Sequence, residues 1–163
     1  MNNFVHTAVS MYSKTCVRVA FSYLKNVSEA EDITQEVFLA LFESSKKFEH
    51  NEHLKAWLIR VTINKCKNHL KSSWFKNRNE LPEDLSYMPQ GESDLLQAVL
   101  SLSNKYRIPI HLYYYEGYSI KEISEILEEP VATVGTRLAR GRKKLKDLIG
   151  GEDYEQGVIQ IIR

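Results

Sequence analysis

The polar residues that recur at helical spacing in this sequence are of types that bind nucleic acid without covalent chemistry. The clearest group surrounds Arg140, where threonine, arginine and lysine alternate with apolar positions. A guanidinium can bond two acceptors of one guanine, whereas lysine mainly supplies charge to phosphates. The residues predicted to face bases or nearby phosphates are Thr133, Thr136, Arg137 and Arg140. Those predicted to face a nucleic-acid backbone are Arg142, Lys143, Lys144 and Lys146.

A second polar stripe combines amides with cations on one predicted helix face. Its members and their flanking residues are Lys55, Arg60, Asn64, Lys65, Lys67, Asn68 and Lys71. Asparagine beside lysine can read bases or accept an unstacked base edge, while the lysines hold phosphates. Trp57 lies on the opposite, apolar stripe, which favours a place in the core over a role in base stacking.

A third polar group is acidic and comes earlier in the chain. Asp32, Gln35 and Glu36 lie beside the apolar positions of one predicted helix. DNA would repel such a face, so it suits a protein partner that presents basic residues. For this group and for each basic segment alone, the alternative is a solvated face of a core helix.

The residue types that enzymes and metal sites require are present but do not cluster. The five histidines are scattered, and the sequence contains no nucleophile–base pair, phosphate loop or metal-spaced His/Cys group. Cys16 and Cys66 lie within helical patterns and are predicted to be buried, reduced thiols. We therefore expect no catalytic site, no metal and no cofactor.

The formal net charge of +1 conceals alternating blocks of charge. Charges are mostly acidic from Ser28 to Glu52, basic from Lys55 to Arg78, acidic from Asn79 to Gln97 and basic from Arg137 to Lys146. Two separate basic segments on predicted helices indicate contact with a phosphate backbone at two places.

The elements that position these residues are all helical. Helical periodicity runs from Phe4 to Lys71, with breaks near Asn26 to Ser28 and Phe48 to His53, and resumes from Asp94 to Ile149. We predict an all-α protein with two small helical domains at 1–72 and 94–150, joined by a flexible linker at 73–93. The tail at 151–163 is expected either to dock on the second domain or to be disordered.

Capping boxes mark two helix starts, at Ser28–Glu31 and Ser119–Glu122. After the second box, a short amphipathic helix, a break at Pro130 and a longer basic helix predict a helix-turn-helix. The residues expected to be buried on the longer helix are Val134, Leu138, Gly141, Leu145 and Leu148. No apolar run approaches the roughly 20 residues of a membrane span and no signal peptide is recognisable, so we expect no membrane insertion and a cytoplasmic location.

Two motif sets resemble the extracytoplasmic-function sigma factors of the sigma-70 family. The first is Ala30-Glu-Asp-Ile-Thr-Gln-Glu-Val-Phe38, followed by Phe48, Ala56-Trp-Leu-Ile-Arg-Val-Thr-Ile-Asn64 and Asn68. The second comprises Glu116-Gly-Tyr-Ser-Ile-Lys-Glu-Ile123 and the segment from Pro130 to Leu145. The resemblance covers nearly everything except the linker and the tail.

The resemblance implies a division of labour in promoter recognition. Asp32, Gln35 and Glu36 would dock on the clamp helices of the largest subunit of core RNA polymerase. The loop from Phe48 to His53, with Asn64 and Asn68, would capture the unpaired strand of the minus-ten element. The basic recognition helix would read the minus-thirty-five element as duplex DNA, and an anti-sigma factor is an expected partner.

Two positions depart from the family pattern, and one alternative function remains open. Glu128 stands where a glycine usually follows the leucine of the turn, and Gly135 stands where a basic or polar residue is frequent. The alternative is a helix-turn-helix transcriptional regulator that acts without binding core polymerase. It leaves the segment from Ala30 to Phe38 and the asparagine–lysine stripe unexplained.

Overall fold

The computed structural model describes residues 3–72 and 93–150. Seven α-helices and a π-helical segment account for most of these residues, and no strand occurs among them, which confirms the predicted all-α class. The helices are α1 (Asn3–Leu24), α2 (Val27–Glu43), α3 (Asn51–Ser72), α4 (Ser93–Ser101), α5 (Asn104–Ile110), α6 (Ile120–Leu127) and α7 (Val131–Ile149), with the π-helical segment at His111–Tyr115. The predicted tail and nearly all of the predicted linker lie outside the described residues.

The chain divides into two compact units, Met1–Tyr87 and Met88–Arg163. In the first unit α1, α2 and α3 pack against one another. Their apolar stripes meet in a core that includes Phe21, Val37, Leu58 and Ile63, each at most 1% exposed. Burial of these side chains is the main stabilising contribution to the unit.

The start of α2 differs from the prediction. The helix begins at Val27, and the side chain of Asn26 accepts a hydrogen bond from the backbone N–H of Glu29 at 2.9 Å. Ser28 therefore lies inside the first turn, and the predicted Ser28–Glu31 capping box is wrong. Asparagine is as good a cap as serine, so the sequence offered two candidates within three residues.

The second unit contains α4 to α7 around a core that includes Leu100, Ile110, Leu112 and Leu138. Arg107 is also buried in this unit, at 3% exposure. Its guanidinium donates to the backbone carbonyl oxygens of Leu100, at 3.1 Å, and of Leu102. A buried guanidinium is tolerated only when such acceptors satisfy it, so Arg107 fixes the corner between α4 and α5.

Candidate functional site

The turn between α6 and α7 has the form of a helix-turn-helix corner. The predicted capping box at the start of α6 is confirmed, because Glu122 N–H donates to Ser119 Oγ at 3.2 Å and Ser119 N–H donates to Glu122 Oε2 at 2.8 Å. Glu128 ends α6 with φ of 55° and ψ of 42°, the left-handed conformation that glycine adopts most easily. Glu128, which stands where the family pattern usually has glycine, therefore occupies a strained backbone position.

Ser124 holds this corner in place. Its carbonyl oxygen accepts from the N–H groups of Glu128 and Glu129, the latter at 3.1 Å. The Ser124 hydroxyl in turn donates to the carbonyl oxygen of Glu129 at 2.7 Å. Three hydrogen bonds therefore compensate for the left-handed residue.

The buried stripe of α7 agrees with the prediction except at its last member. Val134, Leu138, Gly141 and Leu145 are buried. Leu148 is 58% exposed, so its assignment to the stripe is wrong: it falls in the last turn, near the end of the helix at Ile149.

All four residues predicted to face bases or nearby phosphates line one groove. Thr133, Thr136, Arg137 and Arg140 line an open groove of about 410 Å³ on the exposed side of α7. Arg140 and Thr136 are exposed, whereas Thr133 and Arg137 are half-buried. Arg137 also forms an ion pair with Glu129 at 3.4 Å, which ties α7 to the preceding turn.

The cations predicted to face the DNA backbone divide into two groups. Lys143, Lys144 and Lys146 are exposed. Arg142 is half-buried, and its guanidinium donates to the hydroxyl of Tyr114 at 3.3 Å. Arg142 thus lies apart from the other cations and ties α7 to the π-helical segment.

Lys105 and Tyr106 line the same groove as Arg140, although no pattern in the sequence pointed to them. They belong to α5, and no periodicity links them to α7. Only the packing of α5 against α7 brings them together.

The amide–lysine stripe of the first unit is exposed along α3. Asn64, Lys67, Asn68 and Lys71 lie on the surface, whereas Lys55 and Arg60 are half-buried. The four exposed residues share one face, because positions three and four apart stack along a helix. The structure therefore presents two amides and two ammonium groups that alternate along one face of α3.

An aromatic cluster forms around Phe48 in the segment before α3. The Phe48 ring stacks on Phe4 with centroids 6.3 Å apart, and it meets the edges of His53 and Trp57, each at 5.4 Å. Trp57 is half-buried in this cluster, between the core and the surface. These contacts fix the loop that leads into the amide–lysine stripe.

The acidic face of α2 is exposed at Asp32, Gln35 and Glu36. Leu39 and Phe42, on the following turns of the helix, are 59% and 48% exposed. Glu36 Oε2 lies 3.4 Å from Lys65 Nζ of α3. A surface that combines carboxylates with uncovered apolar side chains is chemically suited to a basic, partly apolar protein partner.

The cysteines have no functional geometry. Both are buried, and burial raises the pKa of the Cys66 thiol to about 12. Across residues 3–72 and 93–150, no three His, Cys, Asp or Glu side chains could together hold a metal ion. None of the helices in those ranges is long and apolar enough to cross a bilayer.

The corner, the exposed cationic helix and the all-helical architecture define a protein of the helix-turn-helix class. The chain matches the family models for Sigma-70 region 2 at residues 8–76 and Sigma-70 region 4 at residues 92–145. It is 32% identical to the ECF RNA polymerase sigma factor SigW of Bacillus subtilis, over 86% of this chain and 88% of the relative. It is 29% identical to the RNA polymerase sigma factor SigV of the same organism, over 90% and 92%.

The chain belongs to the extracytoplasmic-function sigma factors of the sigma-70 family, which are transcription initiation factors. Its fold agrees with this assignment. The sigma factor RpoE of Bartonella quintana, solved with the anti-sigma factor NepR, gives a TM-score of 0.73 at 21% identity, covering 88% of this chain and 95% of that one. The match to region 2 over residues 8–76 includes the segment from Ala30 to Phe38 and the asparagine–lysine stripe, which the regulator alternative leaves unexplained.

Proposed function

We propose that this sigma factor uses three separate surfaces in initiation: α2 for core polymerase, α3 with its preceding loop for the minus-ten element, and α7 for the minus-thirty-five element. The observation that carries the proposal is that the polar groups predicted for each role lie largely on exposed helix faces. Asp32 and Glu36 are exposed on α2, Asn64 and Asn68 on α3, and Arg140 on α7.

The polymerase contact rests on charge and apolar surface together. Asp32, Gln35 and Glu36 would meet basic side chains on the clamp helices of the largest subunit. Leu39 and Phe42 would lose their exposed apolar area in the same contact, which favours binding by the hydrophobic effect.

The minus-ten contact rests on the alternation of amides and ammonium groups. In this proposal Asn64 and Asn68 hydrogen-bond an extruded base, while Lys67 and Lys71 neutralise the phosphates on either side. Lys55 and Arg60 support the same stripe from half-buried positions. Removing a base from the stack costs a few kcal/mol, which such contacts can offset without an external energy source.

The minus-thirty-five contact places the groove of α7 against the major groove of duplex DNA. Arg137 and Arg140 would read base edges, with Thr133 and Thr136 at bases or nearby phosphates. Lys143 and Lys144 would contact the backbone. Of the four cations predicted to face the DNA backbone, Arg142 is the least available to a phosphate, because Tyr114 already accepts one of its hydrogen bonds.

Further parts of the proposal concern the protein as a whole. We take the functional domains as 1–72 and 94–150, with a linker at 73–93 and a tail at 151–163. The protein acts in the cytoplasm without catalysing a reaction itself, and an anti-sigma factor restrains it. The solved sigma factor from Bartonella quintana is held by a protein of that kind.

The decisive experiment is in vitro transcription on genomic fragments with core polymerase and the purified chain. We expect specific initiation that requires both. Core polymerase should also retain the chain in a pull-down. Duplex operator binding without any polymerase dependence would instead favour the regulator alternative.

Replacing Asn64 with alanine tests the minus-ten role. The loss of hydrogen bonds to a captured base should cost about 1–2 kcal/mol, or roughly five- to thirtyfold in open-complex formation, measured by permanganate reactivity. Core binding should be unchanged. Gln97→Ala removes an exposed amide from α4 and serves as the control; an equal loss in both variants would contradict the assignment.

Replacing Arg140 with alanine tests the minus-thirty-five role. One good arginine–guanine pair contributes about 1–3 kcal/mol of discrimination, so transcription from promoters with an intact upstream element should fall roughly tenfold or more. Templates without that element should be unaffected by the substitution. An equal decrease on both templates would rule out this role for Arg140.

A further inference from the structure

Tyr106 lies among cations that come from two helices. The ring is half-buried on α5. Lys105 Nζ lies 4.9 Å from the ring centroid, and Lys144 Nζ of α7 lies 5.5 Å from it. Cations at such distances are attracted to the electron-rich ring face. The aromatic ring therefore helps to gather ammonium groups at one point of the surface.

Gly141 makes this arrangement possible. A Cβ atom at Gly141 would lie 3.5 Å from Tyr106 Cβ and 2.5 Å from Ile110 Cδ1, so a larger residue would require the Ile110 side chain or α5 itself to shift. Because the helices approach so closely, Tyr106 packs beside the stretch of α7 that carries Arg140 and Lys144.

Tyr106 also separates two open grooves. The first, of about 410 Å³, is lined by Lys105, Thr136 and Arg140 among others, and the second, of about 480 Å³, by Ser103 and Lys144 among others. Both grooves include Tyr106 in their walls. The phenol thus lies directly beside the groove proposed to read the minus-thirty-five element.

The electrostatics of the phenol agree with this location. Partial desolvation raises the pKa of Tyr106, but the hydrogen bond from Lys105 and the charges of Lys105, Lys144 and Arg140 outweigh it and lower the pKa overall. A phenol O–H is a hydrogen-bond donor and an ammonium group has three donors and no acceptor, so both groups can bond an anion. A phenol with a lowered pKa is also a stronger hydrogen-bond donor to an anion.

We propose that the Tyr106 hydroxyl and the Lys105 ammonium together bind one backbone phosphate of promoter DNA next to the minus-thirty-five element. This inference rests on the proposed function of α7. It adds α5 to the DNA-binding surface, so that a phosphate is held from one helix while bases are read from another.

A phosphate fits this site better than a base or an acidic side chain of a protein would. On the α5 side of the first groove, Lys105 and Tyr106 supply a positive charge and a hydroxyl donor, but not the forked guanidinium with which Arg137 and Arg140 would read a base edge. The site also continues a surface already assigned to duplex DNA, and phosphate contacts commonly set the register of a reading helix.

Two substitutions separate the hydroxyl from the charge. Tyr106→Phe removes only the hydroxyl and keeps the ring that packs on α7. Lys105→Gln removes one positive charge. Lys14→Gln removes the same charge from an exposed position on α1 and is the matched control. Each full-length variant is bound to core polymerase and titrated against a labelled promoter, with and without its upstream element, between about 50 and 200 mM salt.

With the upstream element present, Tyr106→Phe should bind about fivefold more weakly at every salt concentration, with an unchanged salt slope. Lys105→Gln should reduce the magnitude of that slope by about 0.9, as expected for one lost phosphate contact. Lys14→Gln should match the wild type, and without the upstream element all the variants should be equivalent. Thermal unfolding of each variant checks that the fold is kept.

Two results would point to different failures. If Tyr106→Phe keeps wild-type affinity, or Lys105→Gln keeps the wild-type slope, while the wild-type complex still depends on the upstream element, the phosphate site is refuted. If the wild-type complex itself shows no dependence on that element, the proposed recognition of the minus-thirty-five element by α7 is refuted, and the phosphate site, which depends on it, is refuted as well.

Discussion

Replacing Gly141 with alanine measures how closely α5 and α7 pack. The added methyl group would lie 2.5 Å from Ile110 Cδ1 and 3.4 Å from Ile110 Cγ1, inside ordinary contact distance. Ile110 is 1% exposed, so its side chain has little room to yield. Overpacking of this kind costs about 1–3 kcal/mol, and the better helix propensity of alanine offsets about 1 kcal/mol of it. The net loss in stability should therefore lie between about 0 and 2 kcal/mol.

Gly135 on the same helix is the matched control. A Cβ atom there meets nothing within 4 Å. Gly135→Ala should therefore gain only the higher helix propensity of alanine and stabilise the second unit by about 1 kcal/mol. The difference between the two glycine substitutions isolates the steric overlap.

Ile110→Val removes Cδ1, the atom with which the new methyl group would overlap. Alone it should cost about 0.5–1.5 kcal/mol. In the Ile110→Val background, Gly141→Ala should destabilise the second unit much less than it does in the wild type. The double-mutant cycle should therefore give a favourable coupling energy between the two substitutions.

The assay is amide hydrogen exchange at Leu138, which reports the opening free energy of the second unit without interference from the first. If Gly141→Ala stabilised the unit as much as Gly135→Ala, the close contact between the helices would be refuted.

Two further predictions concern the first unit. Because the Cys66 pKa is raised from 9.0 to about 12, its alkylation by iodoacetamide at pH 8 should be about a thousandfold slower in the native chain than in urea, and stability should decline above about pH 9 as the unfolded thiol ionises. Peptide mapping distinguishes it from Cys16, and a native rate within tenfold of the unfolded one would contradict the burial. Asn26→Ala should lower the free energy of unfolding by about 1 kcal/mol, whereas Ser28→Ala should change it by less than about 0.5 kcal/mol. Urea titration measures the free energy of unfolding of both variants. A larger loss in Ser28→Ala than in Asn26→Ala would show that Ser28 is the N-cap.

Much of the fold was predictable because helices leave a local signature. The spacing of apolar residues gave the all-α class and the exposed faces, and the Ser119–Glu122 box gave the start of α6 correctly. Local patterns were less informative at helix ends. Asn26 and Ser28 are equally good caps by type, and Leu148 continues the apolar repeat although the helix ends at Ile149.

The site was predictable only within single helices. Periodicity placed Thr136 and Arg140 on one face of α7, but it could not show that Arg142 bonds to Tyr114 of another element. It also could not bring Lys105 and Tyr106 to the same groove, because that proximity depends on the packing of α5 against α7 at Gly141. Contacts between elements distant in sequence have no local signature.

The corner between α6 and α7 makes the direction of α7, the helix proposed to read the minus-thirty-five element, depend on residues outside that helix. A left-handed residue with a side chain costs roughly 1–2 kcal/mol, so Glu128 keeps this conformation only while its surroundings hold it there. The Ser124 hydroxyl is part of that restraint. If α7 reads bases as proposed, variation at Ser124 would redirect the helix and change which promoters this protein selects without altering any side chain on α7.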